Sequence, residues 1–389
     1  MSTRRRGAVA VLLAGAVALT ACGSGTAVAA SGPADRGGKR DTRLALPAPT
    51  GAYAVGRDAL HLVDKARRDP WVPEAGAREL MVSLYYPARK ATGTPAPYMS
   101  TEGARAFLKE MKVELPAEVL STTRTHVFAG ARARSGTYPL VVLSPGFRTP
   151  GAVLTGLAED LTSRGYVVAV VDHAYEAAGV TFPGKGVLPC AACGRIGPTT
   201  FRPAAEGRAK DLRFVLDRLI GKTSPWKHAD LVDKGRVALG GHSLGGAAAA
   251  ATMARDPRVR AGVNMDGPFV DSGEESGLSG RPFLMMGTEA DHSPGGEDGS
   301  WDVIWKRLDG WKRWLTLSGA DHFAFTDLAP LAGQLGEDDP EGLPGRRAAE
   351  ITRDYTRAFF DAWLRHRHTR LFDGPSAANP EVVFPHTPR

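Results

Sequence analysis

The sequence predicts an α/β fold, with a mostly parallel central sheet and helices on both faces. Three observations carry this. Short apolar or β-branched runs recur at residues 140–143, 166–171 and 259–264, and parallel strands buried on both faces read as such runs. Between them lie stretches with helical apolar spacing: Leu154, Leu157 and Leu161, then Leu212, Val215, Leu216 and Leu219. Strands that alternate with helices make crossover connections, which give a parallel sheet covered on both sides. The proportions are globular, with 43% hydrophobic and 23% charged residues in 389.

In chain order, the first segment is a leader. Arg4, Arg5 and Arg6 precede an apolar stretch, residues 8–19, too short to span a bilayer comfortably. It ends at Leu19-Thr20-Ala21-Cys22, followed by Gly23-Ser24-Gly25, which is similar to a lipobox. Residues 1–21 are therefore expected to be a lipoprotein signal peptide, with lipidation at Cys22 and a membrane anchor through it. Cleavage after Ala27-Val28-Ala29, giving a secreted protein, is the competing reading. Either places the chain outside the cytoplasm, at the bacterial cell membrane or beyond it. Residues 22–50 are rich in Ala, Gly, Pro and charge without an apolar period, and read as a flexible tether.

Residues 51–389 then read as a single domain. Strands are expected at 80–86, closed by Pro87, and at 124–128, with a mostly helical segment at 100–120 between them. A strand at 140–143, a helix at 153–164 and a strand at 166–171 make a β-α-β unit. A helix at 204–220 follows. Further strands are expected at 259–264, 283–286 and 314–317, and a helix at 347–364 closes the domain.

The most informative segment is Val237-Ala238-Leu239-Gly240-Gly241-His242-Ser243-Leu244-Gly245-Gly246, which runs into the alanines 247–251. It reads as strand, sharp turn and helix. Small neighbours let the chain pass through such a turn, and the serine hydroxyl is lifted clear of the sheet. This is the nucleophile elbow of the α/β-hydrolases, and it makes 51–389 an α/β-hydrolase catalytic domain. A serine hydroxyl is a weak nucleophile at neutral pH and needs a base, oriented by a carboxylate. In this fold the chain order is Ser, acid, His. His322 lies in Ser318-Gly319-Ala320-Asp321-His322-Phe323, after the last expected strand, where the base belongs. Two acids qualify: Asp266 after the strand that follows the elbow, and Asp291 after the next strand. The residues alone leave that choice open. The oxyanion hole requires two backbone N–H groups: Leu244 follows the nucleophile, and Phe147 ends Ser144-Pro145-Gly146-Phe147 after an early strand.

These segments resemble the platelet-activating factor acetylhydrolase family, in the branch of secreted bacterial esterases and plasma-type phospholipases A2. The resemblance runs from Gly51-Ala52-Tyr53-Ala54-Val55-Gly56 to the C-terminal helix. Val141-Val142-Leu143-Ser144-Pro145-Gly146-Phe147 is similar to the family's oxyanion segment, Gly241-His242-Ser243-Leu244-Gly245-Gly246 to its Gly-His-Ser-Phe-Gly-Gly, and Arg208, Asp211, Phe214 and Leu216 also fit. The resemblance implies Asp266 as the acid, because the family places it after the strand next to the elbow, as in Met265-Asp266-Gly267. It implies a metal-independent, cofactor-free serine hydrolase cleaving short acyl esters such as 1-alkyl-2-acetylglycerophosphocholine. A cutinase-like lipase for polyesters or triglycerides and a catalytically silent surface lipoprotein are the alternatives.

The remaining residues narrow the partners. Cys190 and Cys193 form one Cys-x-x-Cys in a Pro/Gly-rich loop. Outside the cytoplasm a local disulfide is the expected state. A redox pair would want a helix N-terminus, and a zinc site would want a second ligand pair. Net charge is +7, but Arg4 to Arg6 belong to the leader, and no basic run interleaves with aromatics. Nucleic acid is not an expected partner; a small-molecule or lipid ester is. The segments 188–200 and 289–300 are expected to border the site.

Overall fold

The computed structural model describes residues 43–197, 199–270 and 277–386. The expected signal peptide and Cys22 lie outside them. The heart of the fold is a set of parallel strands: β5 (Tyr138–Ser144), β6 (Val167–His173), β9 (Val232–His242), β10 (Val259–Met265), β11 (Phe283–Thr288) and β12 (Lys312–Leu317). They lie in the order β12-β11-β10-β9-β5-β6. On the β6 side the sheet continues through β2 (Ala77–Ala88), β1 (Ala54–Arg68), β4 (Val127–Ala129) and β3 (Thr94–Pro95), and β13 (Val382–Val383) flanks β12. β2 is antiparallel to both β6 and β1. A separate hairpin pairs β7 (Val180–Phe182) with β8 (Gly186–Leu188).

Side chains of successive strand residues alternate between the two faces, and each face has its own core. Val141, Leu143, Val168 and Val170 pack with Leu157 and Leu161 of the Thr155–Ser163 helix and with Ile351 and Phe359 of the Gly345–Arg365 helix. Leu140, Val142, Val167 and Ala169 pack with Leu212, Leu216 and Leu219 of the Phe201–Ile220 helix and with Ala248 and Met253 of the Leu244–Arg255 helix. Each fully buried Val or Leu contributes roughly 1.5–3 kcal/mol, so these faces specify the layers.

Of the tether expected over 22–50, only residues 43–50 are described. Residues 43–50 dock on the domain: Leu44 and Leu46 are buried, Leu46 N–H donates to Arg124 O, and Thr50 N–H donates to Asp160. Two leucines separated by one residue bury on one side of an extended segment, a pattern too short to stand out among Ala, Gly and Pro. The helix Ser300–Arg307 starts where the 289–300 insert was expected to end. Among the described residues, no helix is long and apolar enough to cross a membrane.

Candidate active site

The carboxyl ends of β5, β9, β10, β11 and β12 meet at one edge of the sheet, where open α/β sheets gather their functional groups. At the end of β9, Ser243 has φ 54° and ψ −125°, in the left-handed region that β-carbon sterics disfavour. Its N–H donates to Met265 O, while its carbonyl accepts from Gly246 and Ala247 and starts the Leu244–Arg255 helix. The strained turn is tolerated because its neighbours are small. A β-carbon on Gly245 would fall 2.0 Å from Ser144 O, and one on Gly146 would stand 3.3 Å from Ser243 Cβ. The loop after β5 is thereby pressed against the serine.

Asp266 follows β10 and also takes a left-handed conformation, with φ 57°. Its carboxylate is fully buried. Oδ2 accepts from His322 Nδ1 at 2.6 Å; Oδ1 accepts from His292 Nδ1 at 2.6 Å and from Thr288 N–H at 2.7 Å. Burial alone would favour the neutral acid, but the hydrogen bonds from His292 and His322 outweigh it, and Asp266 is held well below the usual carboxylate range. Asp291 also stands close: Asp266, Asp291 and His322 each place a polar atom within 4.8 Å of the others. The hydrogen bond to the His322 ring comes from Asp266.

His322 is half-buried, in a short 3-10 turn whose start is capped by Asp321. His242 supports it from behind. The His242 ring lies 4.6 Å from the His322 ring, and its Nε2–H donates to the His322 carbonyl at 2.7 Å. Its Nδ1 has no partner, as befits a neutral ring; burial, and the nearby His322, push the His242 pKa down to about 3. Phe147, Ile196, Phe201, Val270 and Trp71 pack against a small buried cluster of Leu244, Ala247, Ala204 and Ala205. Cys190 and Cys193 are bonded as a disulfide in the loop that leads to Ile196.

Beneath the loop after β5 lies a charge network that sequence reading did not resolve, though Arg208 and Asp211 stood out in it. Arg208 is buried and donates to the carbonyl of Pro145 and to Glu176 Oε2. Arg78, also buried, donates to Glu176, Asp211 and Asp69. His173 Nδ1–H donates to Asp211 at 2.8 Å, and its Nε2 accepts from Ser144 Oγ at 3.0 Å. The order Ser, His, Asp is that of a charge relay. Ser144, however, is 0% exposed, so no ester can reach its hydroxyl. The chain instead fixes the end of β5. Burial and the charge of Arg208 push the His173 pKa down, which keeps the ring neutral and its Nε2 an acceptor.

Arg208→Lys is expected to keep the charge but lose the fork that serves Glu176 and the Pro145 carbonyl together. The loop should shift on the ångström scale. A kcat loss of roughly 10- to 100-fold, with little change in KM and an unchanged circular dichroism spectrum, is the expected result. A variant with wild-type kcat would show that Arg208 has no hold on the loop.

Comparison with known proteins agrees with this geometry. Residues 39–186 and 214–337 match the family model of platelet-activating factor acetylhydrolase, isoform II. A probable 1-alkyl-2-acetylglycerophosphocholine esterase of Arthroderma benhamiae is 28% identical over 87% of this chain and 93% of its own length. The platelet-activating factor acetylhydrolase of Cavia porcellus is 26% identical over 70% of this chain and 68% of its own. A solved structure of a ferulic acid esterase from Streptomyces cinnamoneus superposes with a TM-score of 0.79 and is 42% identical, covering 88% of this chain and 99% of that one. With its α/β-hydrolase sheet and its serine elbow, the chain belongs to the platelet-activating factor acetylhydrolase isoform II family and is a serine esterase.

Proposed function

We propose that Ser243 is the nucleophile, His322 the base and Asp266 the acid of a triad, with the N–H groups of Phe147 and Leu244 as the oxyanion hole. The observation that carries this is the strained Ser243 turn standing at the same sheet edge as a histidine bonded to a buried, ionised aspartate. Ser243 Oγ attacks the ester carbonyl while its proton passes to His322 Nε2. Asp266 holds Nδ1–H and stabilises the imidazolium. The oxyanion sits at the first turn of the Leu244–Arg255 helix, where unpaired N–H groups and the helix dipole favour negative charge. Collapse expels the alcohol, which takes the proton from His322. Water then attacks the acyl-enzyme with His322 as base, releasing the acid and restoring Ser243. No metal or cofactor enters these steps.

For the substrate, the best-supported reading is an ester with a planar aromatic acyl group, of the hydroxycinnamoyl kind. Phe147, Phe201 and Trp71, with Ile196 and Val270, are partly buried against the cluster that holds Leu244, and aromatic faces of this kind suit an aromatic ring. The 42% identical structure carries the name of such an esterase. The second reading, an acetyl ester of a glycerophospholipid, rests on the names of the curated relatives. The leader and the disulfide support a working place outside the cytoplasm, with Cys22 as a lipid anchor.

Turnover of methyl ferulate, p-nitrophenyl acetate, a triglyceride and an acetylated phospholipid separates these readings. Methyl ferulate is expected to have at least tenfold the kcat/KM of the phospholipid. The reverse ranking would favour the acetylhydrolase reading, and a preference for the triglyceride the lipase one.

A further inference from the structure

Asp266 serves two histidines. The second, His292, is 3% exposed and sits in the loop after β11. Its Nδ1 bonds Asp266 Oδ1 at 2.6 Å and its Nε2 bonds Asp298 Oδ2 at 3.1 Å. Both partners are carboxylates, which only accept, so both ring nitrogens must carry protons and the ring is an imidazolium. The ring stacks on Trp301, with centroids 4.3 Å apart and planes at 26°, a face that attracts a cation. Trp301 Nε1 in turn donates to Gly267 O, next to Asp266. Trp314 Nε1 and Thr316 Oγ1 donate to the His292 carbonyl. Ser300 Oγ donates to Asp298. Both nitrogens, one face and the backbone carbonyl of His292 are thus held.

We propose that His292 and Asp298 are positioning residues for ester hydrolysis: an imidazolium held between two carboxylates anchors Asp266 on the side away from His322 and draws on the carboxylate charge that faces His322. This rests on the reading of Asp266 and His322 as acid and base. The cation competes with the His322 ring for the same carboxylate charge. Burial would discharge His292, but its hydrogen bonds to Asp266 and Asp298 outweigh this and raise its pKa to about 9. The charged or titratable groups facing the pair are Asp266, Asp291, Asp298 and, around His322, His242 and Asp321. β12 and the Ser300–Arg307 helix present the uncharged Trp314, Thr316, Ser300 and Trp301.

The signs follow from the charges. His292→Gln removes a cation and leaves Asp298 negative, so the site favours protonated His322. The acid limb of the kcat/KM profile should move up by about one pH unit. Asp298→Asn leaves the imidazolium without its outer counter-charge. The limb should move down, by about half a unit because Asp298 lies farther from His322. A role confined to packing would lower the plateau in both variants without moving the limbs in opposite directions.

The experiment is the pH dependence of kcat/KM for the full chain and both variants, on a p-nitrophenyl ester, with Asp266→Asn as control. Opposite shifts support the proposal. Shifts of one sign, or none, in variants that fold overturn it. If His292→Gln does not fold, the downward shift of Asp298→Asn alone decides. An Asp266→Asn variant with wild-type turnover would instead sink the triad reading itself.

Discussion

Ser243→Ala is expected to lose roughly 10⁴- to 10⁶-fold in kcat on any ester the wild type cleaves, with its thermal unfolding almost unchanged. The hydroxyl is the only atom removed, and the left-handed backbone is equally strained with alanine. Ser144→Ala is expected to do the opposite. It deletes the donor to His173 Nε2 in a fully buried network, leaving an acceptor unsatisfied at a cost of about 1–3 kcal/mol. Its unfolding midpoint should fall while turnover stays within a few-fold. Steady-state kinetics and a thermal melt on the two proteins check both halves. If Ser144→Ala were the inactive variant, the nucleophile would have been assigned to the wrong serine.

The second large effect concerns the proposed acid, Asp266. Asp266→Asn is expected to cost about 10³- to 10⁴-fold in kcat, because an amide can hold the His322 ring in the wrong tautomer and cannot stabilise the imidazolium. It also strips His292 of its inner carboxylate, so a loss of stability should accompany the loss of rate. Asp291→Asn should cost less than about tenfold, since Asp291 is near the cluster while Asp266 holds the His322 ring. Equal losses in the two variants would mean that the carboxylates share the role.

The parallel core and the elbow were legible because their signals are local. β-branched runs, helical spacing and Gly-His-Ser-Leu-Gly each sit within one segment. β1 was not legible. Its 15 residues include Arg57, Asp58, Asp64, Lys65, Arg67 and Arg68, which break up the apolar pattern, and few of its side chains are buried. His292 lies before the last strand, where no base is expected, and has no local signal of its own. Its role depends on Asp266, 26 residues away, and on Trp301, which fold it onto the carboxylate. Arg208 stood out only as part of a family-like segment; its hold on the Pro145 carbonyl was not legible, because that carbonyl belongs to another segment. Short-range pattern shows where a strand ends; what gathers around that end is a property of the sheet order.

The docking of residues 43–50 has a kinetic meaning. Ala45 N–H bonds Gln334 Oε1, a partner 289 positions away. Closing a loop of that length brings nothing favourable until the sheet between its ends exists, because chain entropy is lost before the contact forms. The segment should therefore settle after the sheet does and be among the first parts to open. The edge carrying Leu44 and Leu46 is thus a late seam in folding, and amide exchange should find it less protected than β5 or β9.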